Sequence, residues 1–187
     1  KDKPAFAEWT PIFLSKEQGY ALAQTLDVIL PKTDTPSATE MNVHVFIDAY
    51  LDEVMPLEQR EFVMMQMNNF YDKVLTDSGK ETLMDVEPAD IEPALKTYLR
   101  KRTKEEEEAH SEAIMNYMEA IMEGGEGILD DEVVRFSFAN DLRGLATWAY
   151  KSSEYVGEEV LAYAPIPGEY IPCGDLQTLT GGKAWSL

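Results

Sequence analysis

From about residue 16 to residue 150, apolar side chains recur at three- and four-residue intervals, broken only where capping or proline signals stand. That spacing lays one apolar stripe along a helix, whereas a strand needs an alternation that the chain nowhere sustains. Ser15-Lys16-Glu17-Gln18 sets an N-cap hydroxyl three residues before an amide. A helix therefore starts there, buries Leu22, Leu26, Ile29 and Leu30, and ends at Pro31. Ser37-Ala38-Thr39-Glu40 and Thr103-Lys104-Glu105-Glu106 repeat the pattern, the first opening a short helical turn. The chain is predicted to be all-α. It forms a single domain of about six helices, with residues 1–14 as an N-terminal arm, 15–150 as the helical body and 151–187 as an irregular C-terminal arm.

Inside that body, a helix over Asn42–Val54 is expected to turn Val43, Phe46, Ile47, Tyr50, Leu51 and Val54 inward. Pro56 suits the first turn of the next helix, which runs to about Leu75 and closes at Thr76–Gly79. Pro88 and Pro93 stand near the start of a helix whose body is Ala94–Lys101. The helix after Thr103 is expected to bury Ala113, Ile114, Tyr117, Met118, Ile121 and Met122 before Gly124-Gly125 stops it. Asp130 or Asp131 caps the last long helix, whose Phe136, Phe138 and Trp148 read as core.

The helical spacing ends near residue 151. Pro165, Pro167 and Pro172 forbid a continuing helix, yet Tyr155, Val160, Leu161, Tyr163, Ile166, Tyr170, Ile171 and Leu176 are apolar or aromatic. Disordered tails are poor in such residues, so this arm is expected to pack on something, chiefly its own helices, with an edge and Cys173 left for a partner. The N-terminal Phe6, Trp9, Ile12 and Phe13, between Pro4 and Pro11, read the same way.

Charge narrows the function. With 35 acidic and 16 basic residues the formal net charge is −19, which repels nucleic acid and anionic membrane surfaces. Cys173 is the only cysteine, so neither an internal disulfide nor a thiolate metal cluster can form. No apolar run approaches the roughly 18–20 residues that span a bilayer. The first residues, Lys1-Asp2-Lys3-Pro4, hold no signal-peptide pattern.

Catalytic and cofactor signatures are missing from the sequence. There is no Gly-x-Gly-x-x-Gly, no phosphate-cradling loop, no Cys-x-x-Cys-His and no Gly-x-Ser-x-Gly. Glu107-Glu-Ala-His110 has the Glu-x-x-His spacing of di-metal bundles, but such sites need two motifs and two further glutamates. The spacing is read instead as a solvated helix face. Glu40, His44 and Asp48 lie four residues apart and read as a surface ladder rather than a ligand set. Asp34 reads as a buried carboxylate bonded to its own loop. No catalytic, cofactor-binding or metal residue is assigned.

Two blocks, over about 14–51 and 138–186, carry a resemblance. Leu26-Asp-Val-Ile-Leu-Pro-Lys-Thr-Asp34-Thr35-Pro36-Ser-Ala, then Val43-His-Val-Phe-Ile-Asp48, resembles the N-terminal signature of the gluconate 2-dehydrogenase subunit 3 family. Tyr150-Lys-Ser-Ser153-Glu154-x-x-Gly157 is similar to that family's Tyr-x-Thr/Ser-Ser-Glu-x-Gly segment. Its closing motif looks like Tyr163-x-Pro165-Ile-Pro167-Gly168-x-Tyr170-x-x-Cys173, and Lys183-Ala-Trp185-Ser looks like its terminal Gly-Arg-Ala-Trp. Ser37 stands where many relatives have glycine, which implies a stiffer loop, and Lys151-Ser152 replaces the common Tyr-Thr.

The resemblance implies a non-catalytic small subunit that binds no cofactor itself. Its expected partners are a large flavoprotein of the glucose–methanol–choline type, which holds FAD, and in some complexes a multihaem cytochrome c. It implies a periplasm-facing location, membrane association through those partners, and a role in folding or twin-arginine export of the flavoprotein. Asp34, Thr35, Pro36, Ser153, Glu154, Gly157, Tyr163, Pro165, Pro167, Gly168, Tyr170, Cys173 and Trp185 are then the structural or partner-contact candidates. A disulfide from Cys173 to the large subunit is a further expectation. Two alternatives stay open: a stand-alone exported binding or scaffold domain, and a metal-dependent enzyme using carboxylates with His44 or His110.

Overall fold

The computed structural model describes residues 5–125, 127–164, 168, 171 and 173–186. Its α-helices are α1 (Lys16–Ile29), α2 (Val43–Glu53), α3 (Leu57–Ser78), α4 (Pro88–Tyr98), α5 (Lys104–Met122), α6 (Asp131–Lys151) and the short α7 (Leu176–Thr180). Two 3-10 turns, Ala5–Glu8 and Leu83–Asp85, and a π-helical turn, Val156–Val160, complete the elements. A single bridge, Ala162 to Trp185, is the only β-type pairing among the described residues. The all-α expectation holds.

Local chemistry sets the helix starts. Ser15 and Gln18 satisfy each other's backbone N–H groups at α1, and Thr103 and Glu106 do so at α5. At Ser37–Glu40 the Ser37 amide donates to Glu40 Oε2 at 2.8 Å and the Glu40 amide to Ser37 Oγ at 3.4 Å. That box closes one helical turn, as read, before Asn42 enters α2 in the left-handed region at φ 56°. α4 starts earlier than expected, at Pro88, and Pro93 lies inside it. Glu87 caps it, with the Asp90 carboxylate accepting from the Glu87 amide at 2.9 Å. The helix then ends at Tyr98, short of Lys101.

The core lies where α1 and α4 meet the antiparallel-spaced pair α3 and α6, with α2 closing one side. Leu22, Leu26, Ile47, Leu51, Phe70, Tyr71 and Ile91 are almost fully buried. Phe70 and Phe138 rings stand 5.1 Å apart across α3 and α6. Thr25 Oγ1 donates to Ala21 O at 2.8 Å, so the buried Tyr71 hydroxyl donates to Thr25 at 2.9 Å. Burial without a cation nearby drives the Tyr71 pKa upward.

Several side chains depart from the sequence expectation. Phe46 on α2 and Val54 just past its end are 40% and 62% exposed, and Trp148 on α6 is 45% exposed, so none of the three is core. α5 leans on the body near its start and again at Tyr117, whose ring centroid stands 5.6 Å from that of Phe62 on α3. Met118, Ile121 and Met122, expected in the core, are exposed. Its apolar stripe is present in sequence, but it is only partly covered.

Candidate functional site

α2 begins only at Val43, so Glu40 never joins His44 and Asp48 on a helix face. Glu40 instead holds Ser37 and pairs with Lys32, two contacts that lower its carboxyl pKa. Asp48 is buried, not a surface rung. It accepts the backbone N–H groups of Ile12 (2.6 Å), Phe13 (3.2 Å) and Leu14 (2.9 Å), and so fastens the N-terminal arm to α2. His44 is buried as well, its ring perpendicular to that of Trp9 with centroids 4.8 Å apart. Desolvation lowers its pKa despite the charges of Asp27 and Asp48. Gly19 makes the arm's path possible: a Cβ there would collide with Pro11 and stand 3.0 Å from Trp9.

His110 is also buried, which corrects its reading as a solvated face. Its Nδ1 receives Arg102 Nη1 at 2.7 Å, so Nε2 carries the proton and donates to Ser137 Oγ at 3.1 Å. Arg102 in turn stacks 3.3 Å over Phe136. A serine beside a histidine is the geometry of an activated nucleophile, but activation needs a free base. Here Arg102 occupies the acceptor nitrogen. Burial first, and the cation second, lower the His110 pKa. The group locks the start of α5 onto α6. Glu107 is exposed, whereas His110 is buried. Among the described residues no three His, Cys, Asp or Glu side chains are grouped to hold a metal ion. No described helix is long and apolar enough to cross a membrane.

The two motif blocks, separated in sequence by α3, α4 and α5, meet at one place. Tyr150, at the end of α6, donates its hydroxyl to Pro36 O at 2.7 Å. Phe46 and Tyr50 of α2 pack on Trp148 of α6, with ring centroids 5.2 and 5.8 Å apart in edge-on geometry. The result is a partly exposed aromatic face where α2 meets α6. Asp34 is exposed and Thr35 and Pro36 are half-buried, so Asp34 is not the loop's internal anchor. That role falls to Asp27, whose carboxylate accepts from Thr39 N at 2.9 Å and Thr39 Oγ1 at 2.7 Å. An aspartate inside a helical stretch gave no sequence signal for it.

Ser153 Oγ caps Tyr150 O at 2.7 Å and its carbonyl accepts from the buried Gly157 at 2.8 Å. Glu154 is exposed. Beyond Val156 and Gly157 the C-terminal arm folds mainly on itself. Ala162 donates to Ala184 O at 2.8 Å, Ser186 donates to Ala162 O at 2.9 Å, and Lys183 Nζ reaches Glu159 O at 2.8 Å. Tyr155, Tyr163, Ile171, Leu176 and Trp185 keep 43–53% of their surface exposed, and Cys173 is an exposed free thiol. The expectation that this arm clasps chiefly its own helices does not hold for these side chains. Gly168, at φ +81°, sits where only glycine is relaxed. Pro165, Pro167 and Tyr170 lie outside the described residues.

These features define an all-helical domain whose distinctive residues build a pinned loop, an aromatic face and an external strap. The chain belongs to the gluconate 2-dehydrogenase subunit 3 family, whose sequence model matches residues 16–168. No curated protein and no solved structure matches it. The family name places the chain among the accessory subunits of a dehydrogenase complex.

Proposed function

We propose that the chain is the non-catalytic small subunit of a flavoprotein dehydrogenase that oxidises a sugar or sugar acid, and that it assists folding, assembly and export of the large subunit. FAD sits on that large subunit, of the glucose–methanol–choline type, and haem c on a cytochrome subunit where the complex has one. The complex faces the periplasm and meets the membrane through its other chains. The observation that carries the reading is the unburied C-terminal strap. Five large apolar or aromatic side chains stay about half exposed on a segment whose described hydrogen bonds run mainly within itself. Scattered apolar residues are ordinary on a surface, but a motif-bearing strap with several exposed aromatics has the composition of an interface centre. Cys173 lies in the same strap, and a disulfide to the large subunit is part of the proposal.

Binding of the purified chain to a glucose–methanol–choline-type flavoprotein from the same organism tests this. Tyr163→Ser combined with Trp185→Ser leaves the core untouched and should weaken the complex at least tenfold, because buried aromatic anchors dominate such interfaces. Undiminished binding by the double variant, or no binding by the parent chain, rejects the reading. Non-reducing gels of the complex test the Cys173 bridge: an unshifted band removes it.

A further inference from the structure

The second half of α5 carries Met115, Met118 and Met122, which are 65%, 40% and 83% exposed. Their spacing, i, i+3 and i+7, sets them in one line along the helix, about 10 Å long at 1.5 Å per residue. A different face holds α5 to the body: His110 bonds Ser137, and seven residues on the Tyr117 ring packs near Phe62. The methionine line lies about 120° round the helix from that face. Beside the line run Glu112, Glu119 and the C-cap Glu123, at i−3, i+4 and i+8 from Met115. The three carboxylates are exposed and form a row along one edge of the stripe. Among the described residues none of them has an ion-pair partner, while Arg100 and Lys104 pair with Glu106 and Glu108 at the other end of the helix.

Single apolar residues on a surface need no explanation, but three in line beside an unpaired acidic row make an amphipathic docking face. Methionine is unbranched and polarizable, so it moulds to a partner's side chains. Charge identifies the occupant. A free carboxylate row on a chain of net charge −19 attracts cations and repels acids. A second copy would bring a further −19, and an antiparallel pairing of two α5 helices would set both glutamate rows on one flank. We propose that this face of α5 docks a basic amphipathic helix of a protein partner, about three turns long. Its apolar side chains lie on the methionines, and its lysines or arginines on the Glu112–Glu123 row. The surface is separate from the strap proposed to hold the large subunit, and either can fail without the other.

The probe is a dye-labelled helical peptide of about 18 leucines and lysines, with leucine at three- and four-residue spacing. It is titrated into the full chain by fluorescence anisotropy at about 0.15 M salt. The peptide should bind with a Kd on the order of micromolar, a scrambled peptide of the same composition about tenfold more weakly, and a leucine–glutamate counterpart not measurably. Met115→Gln with Met118→Gln and Met122→Gln should fold like the parent by circular dichroism, since all three sites are exposed and glutamine suits a helix as well. That variant should lose about tenfold or more in affinity. Glu112→Gln with Glu119→Gln and Glu123→Gln should weaken binding and flatten its salt dependence. The same charge change in the C-terminal arm, Glu154→Gln with Glu158→Gln and Glu159→Gln, should do so far less. Tyr163→Ser with Trp185→Ser, which tests the strap, should leave peptide binding intact. No binding by the parent overturns the proposal. Equal binding of ordered and scrambled peptides, undiminished binding by the methionine variant, or equal losses in the two glutamine variants overturn it too, because net charge alone then attracts the peptide. A parent dimer in sedimentation that the methionine variant abolishes assigns the face to a second copy instead.

Discussion

Replacing Asp48 with alanine removes the acceptor for three consecutive backbone amides, at 2.6, 3.2 and 2.9 Å. A hydrogen bond to a charged group contributes about 1.5–3 kcal/mol, and a buried donor left unpaired costs about 1–3 kcal/mol. The three are not equivalent. The Leu14 amide is buried, whereas the Ile12 and Phe13 amides are only partly so and recover water when the arm loosens. The Phe13 bond is also the longest. Taking the Leu14 bond in full and the other two at about half strength gives a loss of about 3–6 kcal/mol. For a chain of this size that lowers Tm by about 6–24 °C. Urea titration followed by circular dichroism measures the loss, and amide hydrogen exchange at residues 12–14 locates it. Asp48→Asn keeps one oxygen but turns N–H groups on a donor, so it should fall between parent and Asp48→Ala. A loss below about 1 kcal/mol for the alanine variant, with exchange at Leu14 unchanged, would refute the view that this carboxylate fastens the arm.

Three further outcomes follow from the geometry. His44 and His110 both have pKa values held below the usual 6.5 by burial, so the unfolded chain binds more protons there. Their contribution is complete above about pH 6.5 and is lost as pH falls below it. The urea midpoint should drop from pH 7.5 to 5.5, and His44→Phe with His110→Gln should flatten that drop; Glu106, held at about 2 by Arg100, responds only between 4.5 and about 2. Tyr150→Phe strips the hydroxyl from Pro36 O and should cost about 1 kcal/mol by urea titration, with faster exchange across 31–38. Gly19→Ala should gain helix propensity of about 0.5–1 kcal/mol in α1 yet release the arm; a red shift in Trp9 emission with no net stabilisation is the expected readout.

Where local rules govern, the sequence was a sufficient guide. Ser15–Gln18, Thr103–Glu106 and Ser37–Glu40 each close the reciprocal contacts that their spacing implies. Pro93 misled because a proline usually marks a first turn, whereas Glu87, Pro88 and Asp90 already supply one upstream. Burial was less legible, since it depends on which elements meet. The stripe on α5 has the composition of a core face, yet only the turn around His110 finds α6. Asp48 and His44 look like surface rungs until the N-terminal arm, whose path Gly19 permits, is laid over them. Gln66 gave no signal at all: a glutamine in a long helix is common, and its burial arises only in the packed fold.

The central claim is that this chain serves a flavoprotein. The direct test is to express a glucose–methanol–choline-type flavoprotein of the same organism in one host with and without this chain and to measure soluble, FAD-loaded, active enzyme and its co-purification. The account predicts that FAD-loaded flavoprotein accumulates only when this chain is present, and that the two elute together. Equal yield and activity without the chain, with no association between the two, would contradict it.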